Sequence, residues 1–287
     1  MKIIINLKRI SASIMSATIV VVISLVNVVS PFSAEAAERA QVEAFLEVTG
    51  FDVALDSIAM SATLAPQMLG LDEGDFGGQW TALAKTTFDT VVMRARATDI
   101  LEATLDAELL AHAAEFYASE LGQKLVEAEN FAHLQNDDVK YPTGAKLLAE
   151  MKAQDDPKIS LFRRMSEAID PNKIGIQAMI EIQVRFILAA SYAGVISLRI
   201  DEKGLRAALA EDAEKVAREA EINALQNNAF TYQDFSLTDL MIYTKALEDP
   251  RMMTVYELMN AVHFEVMSNR FEALAVRLGK MQPAQEL

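Results

Sequence analysis

The sequence predicts an all-α protein, a helical bundle built from two related copies that each end in a helix–corner–helix pair. Three observations predict it. Apolar residues make up 52% of the 287 positions while Gly and Pro number only 11 and 7, so little interrupts helices and much surface is available to bury. Apolar positions recur at three- and four-residue spacing through most of the chain, the mark of helices with one buried face. The chain also bends in the same way twice, at Ser119 and, 130 residues later, at Asp249-Pro250.

Residues 1–36 read as a secretory signal peptide. Lys2, Lys8 and Arg9 precede a mostly uncharged run from Ile10 to Val29, and Ala34-Glu35-Ala36 supplies the small residues of a cleavage site. The expected location is periplasmic, soluble after cleavage near Ala36 or Ala37; an uncleaved N-terminal membrane anchor is the alternative, because the apolar run approaches spanning length. Removing residues 1–36 takes away those three bases and Glu35, which leaves 23 basic residues against 40 acidic ones, a net charge of −17. Such a chain repels phosphate backbones and anionic lipid, so nucleic acid and stable membrane insertion are excluded as partners. With no cysteine there is no disulfide framework and no thiolate metal site.

The first copy is placed at 37–135. It opens with a helix from Glu38 to Val48 that buries Val42, Phe45, Leu46 and Thr49, and Gly50 stops it. A second helix is expected from Asp52 to Leu69, with Pro66 kinking or ending it, followed by a Gly-rich acidic loop over Gly70–Gln79 that lacks the spacing of a calcium site. A third helix runs from Trp80 to Leu101, with Trp80, Leu83, Phe88, Val91, Val92 and Ile100 inward. Then comes the bent pair. Leu105, Leu109, Ala113, Phe116 and Tyr117 form one stripe, which Leu121, Leu125 and Val126 resume beyond Ser119. Ser119 is the N-cap at the corner, and Glu120 suits the positive end of the helix dipole.

A linker with a short helix over Ala145–Ala153 is expected at 136–156, where Asn136-Asp137-Asp138 and Tyr141-Pro142-Thr143-Gly144 loosen the chain. The second copy is placed at 157–287. It begins with a helix over Lys158–Ile169, entered through Asp156-Pro157, and turns at Asp170-Pro171-Asn172. From Phe186 to Ile196 the chain is apolar on nearly every face, as in a helix enclosed by others. Glu181 and Arg185 just before it are spaced as a helix-face ion pair worth about 0.3–0.5 kcal/mol, or alternatively as a buried pair lining a cavity. Asp201 caps a charged helix reaching about Leu225, and Asn227–Phe235 reads as a loop. Ser236 to Leu247 leads into the second corner, where Asp249 caps and Pro250 holds the first helical position. The last helix, to about Gly279, carries Met252, Tyr256, Met259, His263, Val266 and Arg270 as a methionine-rich stripe suited to adaptable packing or to an apolar groove.

Phe116, Tyr117, Ser119, Gly122 and Lys124, behind a helix opened by Asp106-Ala107-Glu108-Leu109, form a Phe-Tyr-x-Ser-x-x-Gly-x-Lys pattern that resembles the bacterial family called domain of unknown function 2059. The resemblance runs over about Ala37 to Phe131. It weakens in the second half, where Met252 stands for the glycine and Ala246-Leu247 for Phe-Tyr. It implies an exported, all-helical, biochemically uncharacterised protein, and it carries no catalytic residue over to this chain.

Motifs for chemistry are scarce. His112, His133 and His263 have no metal spacing around them and read as surface or satisfied core residues; no cofactor is expected. No Gly-x-Ser-x-Gly turn or phosphate loop occurs. The function expected is therefore a non-catalytic one, binding a partner protein of the cell envelope or a second copy of itself through helix faces. The alternative is a carrier or holdase for an apolar ligand or polypeptide, and a hydrolase is the remaining one. An internal pocket of several hundred Å³ is the observation that separates a carrier from a body with a filled core.

Overall fold

The computed structural model describes residues 3–4, 37–70 and 80–280. The expected signal peptide, apart from Ile3–Ile4, and the expected loop beyond Gly70 lie outside the described residues. The chain is all-α. Ile3–Ile4 (β1) and Ile196–Ser197 (β2) pair in parallel over two residues, too short to form a layer. None of the helices among the described residues is long and apolar enough to cross a membrane.

The first helices are α1 (Arg39–Thr49) and α2 (Phe51–Ser57), joined through Gly50 at φ 74°. A left-handed φ is what lets one helix stop and another start within a single residue, and glycine takes it without a Cβ penalty. Val42, Phe45, Leu46 and Thr49 are buried as expected. The second expected helix is not continuous: Ile58–Leu64 is a 3-10 segment and only Ala65–Met68 (α3) returns to α geometry. The third is also divided, into α4 (Trp80–Thr87) and α5 (Thr90–Thr104), because Asp89 turns extended and accepts from the N–H groups of Val91 and Val92. That cap rotates α5 so that Val91 is 74% exposed while Met93, Ala97 and Leu101 take the core face. Trp80 and Phe88 are buried.

Both corners are present. Helix α6 (Ala107–Tyr117) ends at Ala118, and α7 (Glu120–His133) begins under Ser119, whose Oγ accepts from Gly122 N–H at 3.0 Å. After α8 (Asp137–Ala153), α9 (Lys158–Ile169), α10 (Gly175–Tyr192), α11 (Glu202–Ala210) and α12 (Ala213–Thr231), the second pair is α13 (Leu237–Leu247) and α14 (Pro250–Lys280). There Asp249 Oδ1 accepts from Arg251 N–H at 2.9 Å, beside Pro250. Each cap satisfies one N–H that opens a helix. Alanine at Ser119 or at Asp249 is therefore expected to lower unfolding free energy by about 1 kcal/mol, read from urea denaturation followed by circular dichroism. An unchanged midpoint in both variants would remove the caps as a cause of the corners.

The linker expected at 136–156 is instead the helix α8, which starts at Asp137 and lies along α12. Pro142 sits inside it, and Gly144 is buried where a Cβ would come within 2.1 Å of the Gln226 carbonyl oxygen. Likewise Asn227 to Thr231 belong to α12 and form no loop. The charged helix expected from Asp201 breaks between Ala210 and Ala213. The long α14 is central: it packs against α4, α5, α6, α9, α10 and α13, and its stripe from Met252 through Leu278 is buried. Among the described residues one core cluster runs from Ala37 to Leu278.

Candidate functional site

The tyrosine of the first corner leads to the interior. Tyr117, at the end of α6, is 1% exposed, and its hydroxyl lies 3.1 Å from that of Tyr243 on α13 and hydrogen-bonds that of Tyr256 on α14. Phe116 beside it stacks on the Tyr243 ring, centroids 5.8 Å apart and planes 7° from parallel. The corner is held tight by Gly122: a Cβ there would stand 2.3 Å from Phe116 O and 2.6 Å from Tyr117 Cα, so only glycine lets α7 start against the end of α6. Lys124 pairs with Glu120 at 2.8 Å on the exposed side, a contact of little energetic weight. Phe116, Tyr117, Ser119 and Gly122 thus build and anchor the corner, while Asp249 and Pro250 start α14.

The tyrosine cluster ends on a carboxyl group. Tyr232 of the α12 C-terminus and Tyr243 each donate to Glu129 Oε1 at 2.8 Å. Glu129 lies on α7, and burial raises its pKa to about 7 against the two tyrosine hydrogen bonds that pull it down. Burial also raises the phenols of Tyr117, Tyr232, Tyr243 and Tyr256, so all four stay neutral donors. One turn further along α7, His133 is driven down to about 4, first by burial and then by Lys140. His263 of α14 is driven to about 4 as well, by burial and by His133. Both imidazoles are therefore neutral at pH 7.

Glu129, His133, His263 and the tyrosines 232, 243 and 256 line a cavity of about 480 Å³. Its exposed lining residues, Arg163, Glu167, Lys173 and Glu221, mark the opening; Ile169, Ile176, Met179, Leu225 and Met259 supply apolar wall. The floor is polar, with Glu129, Asn130, Thr231, Asn260, His263 and the three tyrosines 232, 243 and 256. Asn130 Oδ1, Thr231 Oγ1 and His263 Nε2 are buried there with no hydrogen-bond partner. A group left so costs about 1–3 kcal/mol, a cost that a bound molecule or water would relieve. Among the described residues no group of three or more His, Asp or Glu is placed to hold a metal ion.

Two expectations need correction. His263 is not a satisfied core residue, since its Nε2 has no partner in the cavity wall. Glu181 and Arg185 do not pair with each other: Glu181 binds Arg206 of α11, with Nη2 to Oε1 at 3.1 Å, and Arg185 binds Glu272 and Glu265 of α14. Neither lines the cavity. Each found a longer-range partner because α10 packs between α11 and α14, which brings opposite charges nearer than one helical turn does.

Glu129 and Tyr232 carry no motif. The readable signal was on α7 itself, where the stripe Leu125, Val126, Ala132 continues through Glu129 and His133, so that an acid and an imidazole stand on a buried face.

Residues 92–135 match the family described as an uncharacterized protein conserved in bacteria (DUF2059). The match supports the resemblance read from the sequence. No curated protein and no solved structure matches the chain. The DUF2059 segment takes in most of α5 and all of α6 and α7, and so contains Tyr117, Glu129, Asn130 and His133. Tyr232, Tyr243, Tyr256 and His263, which complete the floor, lie beyond it.

Proposed function

We propose that the protein is a non-catalytic carrier or receptor for a small, largely apolar molecule, acting after export into the periplasm. One observation carries the reading: a cavity of about 480 Å³ with apolar walls and unpartnered polar atoms on its floor. That volume falls in the range of ligand pockets, and a body that only docked partners on its surface would gain nothing from such a hole at its core, since cavities destabilise. The N-terminal pattern of Lys2, Lys8, Arg9, an apolar run and Ala34-x-Ala36 supports export.

A neutral fluorescent probe tests the cavity. Aminoanthracene should bind one equivalent with a micromolar Kd and brighten as it leaves water. Ala224→Phe, which fills the wall from α12, should weaken it at least tenfold at an unchanged melting temperature. The absence of any bound probe, or equal binding to the filled variant, would overturn the reading.

A further inference from the structure

We propose that the ligand is an organic cation, an ammonium group on an apolar body, seated with its charge on the cavity floor beside Glu129. This rests on the cavity being a ligand site. Glu129 Oε1 already holds two tyrosine hydroxyls, and no donor among the described residues reaches its second oxygen, Oε2. Thr231 is only 8% exposed, yet its Oγ1 is unpartnered, and Asn130 Oδ1 next to Glu129 is unpartnered too. The floor therefore offers a carboxylate, a hydroxyl and an amide oxygen that accept hydrogen bonds, which is what the several N–H groups of an ammonium require.

The opposite charge is not provided for. Arg163 and Lys173 line the cavity only at its exposed end, and the two histidines deeper in are neutral at pH 7. An anion on this floor would be buried beside Glu129 without a cationic partner, at a cost of several kcal/mol. A cation would instead hold Glu129 in its ionised form, reversing the effect that burial has on its carboxyl. The aromatic rings of Phe51, Tyr232, Tyr243 and Tyr256 in the lining add surface that attracts cations and packs an apolar body.

Titration calorimetry of the full chain at pH 7.5 with hexylammonium, hexanol and hexanoate separates the possibilities. Hexylammonium should bind at least tenfold more tightly than hexanol, and hexanoate should not bind measurably. Glu129→Gln should abolish the preference for the amine while hexanol binding persists, which also shows that the variant folds. Thr231→Val should weaken the amine several-fold and leave hexanol unchanged. Hexanol or hexanoate binding as tightly as the amine, or an undiminished preference in both variants, overturns the cation assignment with the cavity reading intact. Binding of none of the three overturns both.

Discussion

Replacing Gly144 with alanine should destabilise the protein by roughly 2 kcal/mol, although the same change in an exposed helix would stabilise it by about 0.5–1 kcal/mol. The added Cβ would stand 2.1 Å from the Gln226 carbonyl oxygen and 2.8 Å from its carbon, and both belong to the α12 backbone. A flexible side chain could swing aside, but a helix backbone can yield only by moving the helix. Shifting α12 away from α8 would also displace Asn228, Thr231 and Tyr232, three lining residues on its last turn or just beyond. For a chain of this size the expected fall in Tm is roughly 4–8 °C. Probe affinity in the cavity should fall with it. A Tm equal to or above that of the native protein would show that the two helices are not in close backbone contact.

The second large effect is expected on acidification. Burial holds His133 and His263 near 4, whereas an imidazole in the unfolded chain titrates near 6.5. Between those values the unfolded state binds protons that the folded state refuses, so stability falls as pH drops from 6.5 to 4, by at most about 3 kcal/mol per histidine. Glu129 acts with the opposite sign. Its folded pKa of about 7 lies above the ordinary carboxyl value of 4.5, so the folded state binds the extra proton, and stability is lost as pH rises from 4.5 to 7. Two histidines outweigh one carboxyl, and the native protein should lose roughly 2 kcal/mol between pH 7 and pH 4.5 from these three groups. Urea denaturation at pH 4.5, 6 and 8 resolves them. The His133→Gln, His263→Gln double variant should lose the acid destabilisation and, with Glu129 alone left of the three, gain stability between pH 7 and pH 4.5, while Glu129→Gln should be more stable than the native protein at pH 8 and equal to it at pH 4.5. A double variant with the native pH profile would mean that the imidazoles do not stay neutral inside the fold.

Much of the helical frame was legible. The 158–169 helix, the α1 face of Val42, Phe45 and Leu46, the long final helix and both corners follow from apolar spacing joined to a capping residue, and these are local signals. The failures have one kind of cause. Pro142 and Gly144 read as a break because each disfavours a helix by itself, and the packing of α8 on α12 outweighs that preference. Val91 and Val92 read as core, but the Asp89 cap set the phase of α5 and turned them outward. Glu181 and Arg185 were matched on their own helix, while their partners sit on α11 and α14.

The sequence by itself determined that the chain is helical, free of cysteine and so of thiol and disulfide chemistry, and bent at Ser119 and Asp249, because spacing, composition and caps act within a few residues. Only the tertiary structure decided the cavity. Its floor joins Glu129 to Tyr232 and Tyr243, 103 and 114 residues away, and no local rule couples positions so distant. Long-range packing brings those hydroxyls to the carboxyl, and the same burial raises the acid and silences the imidazoles.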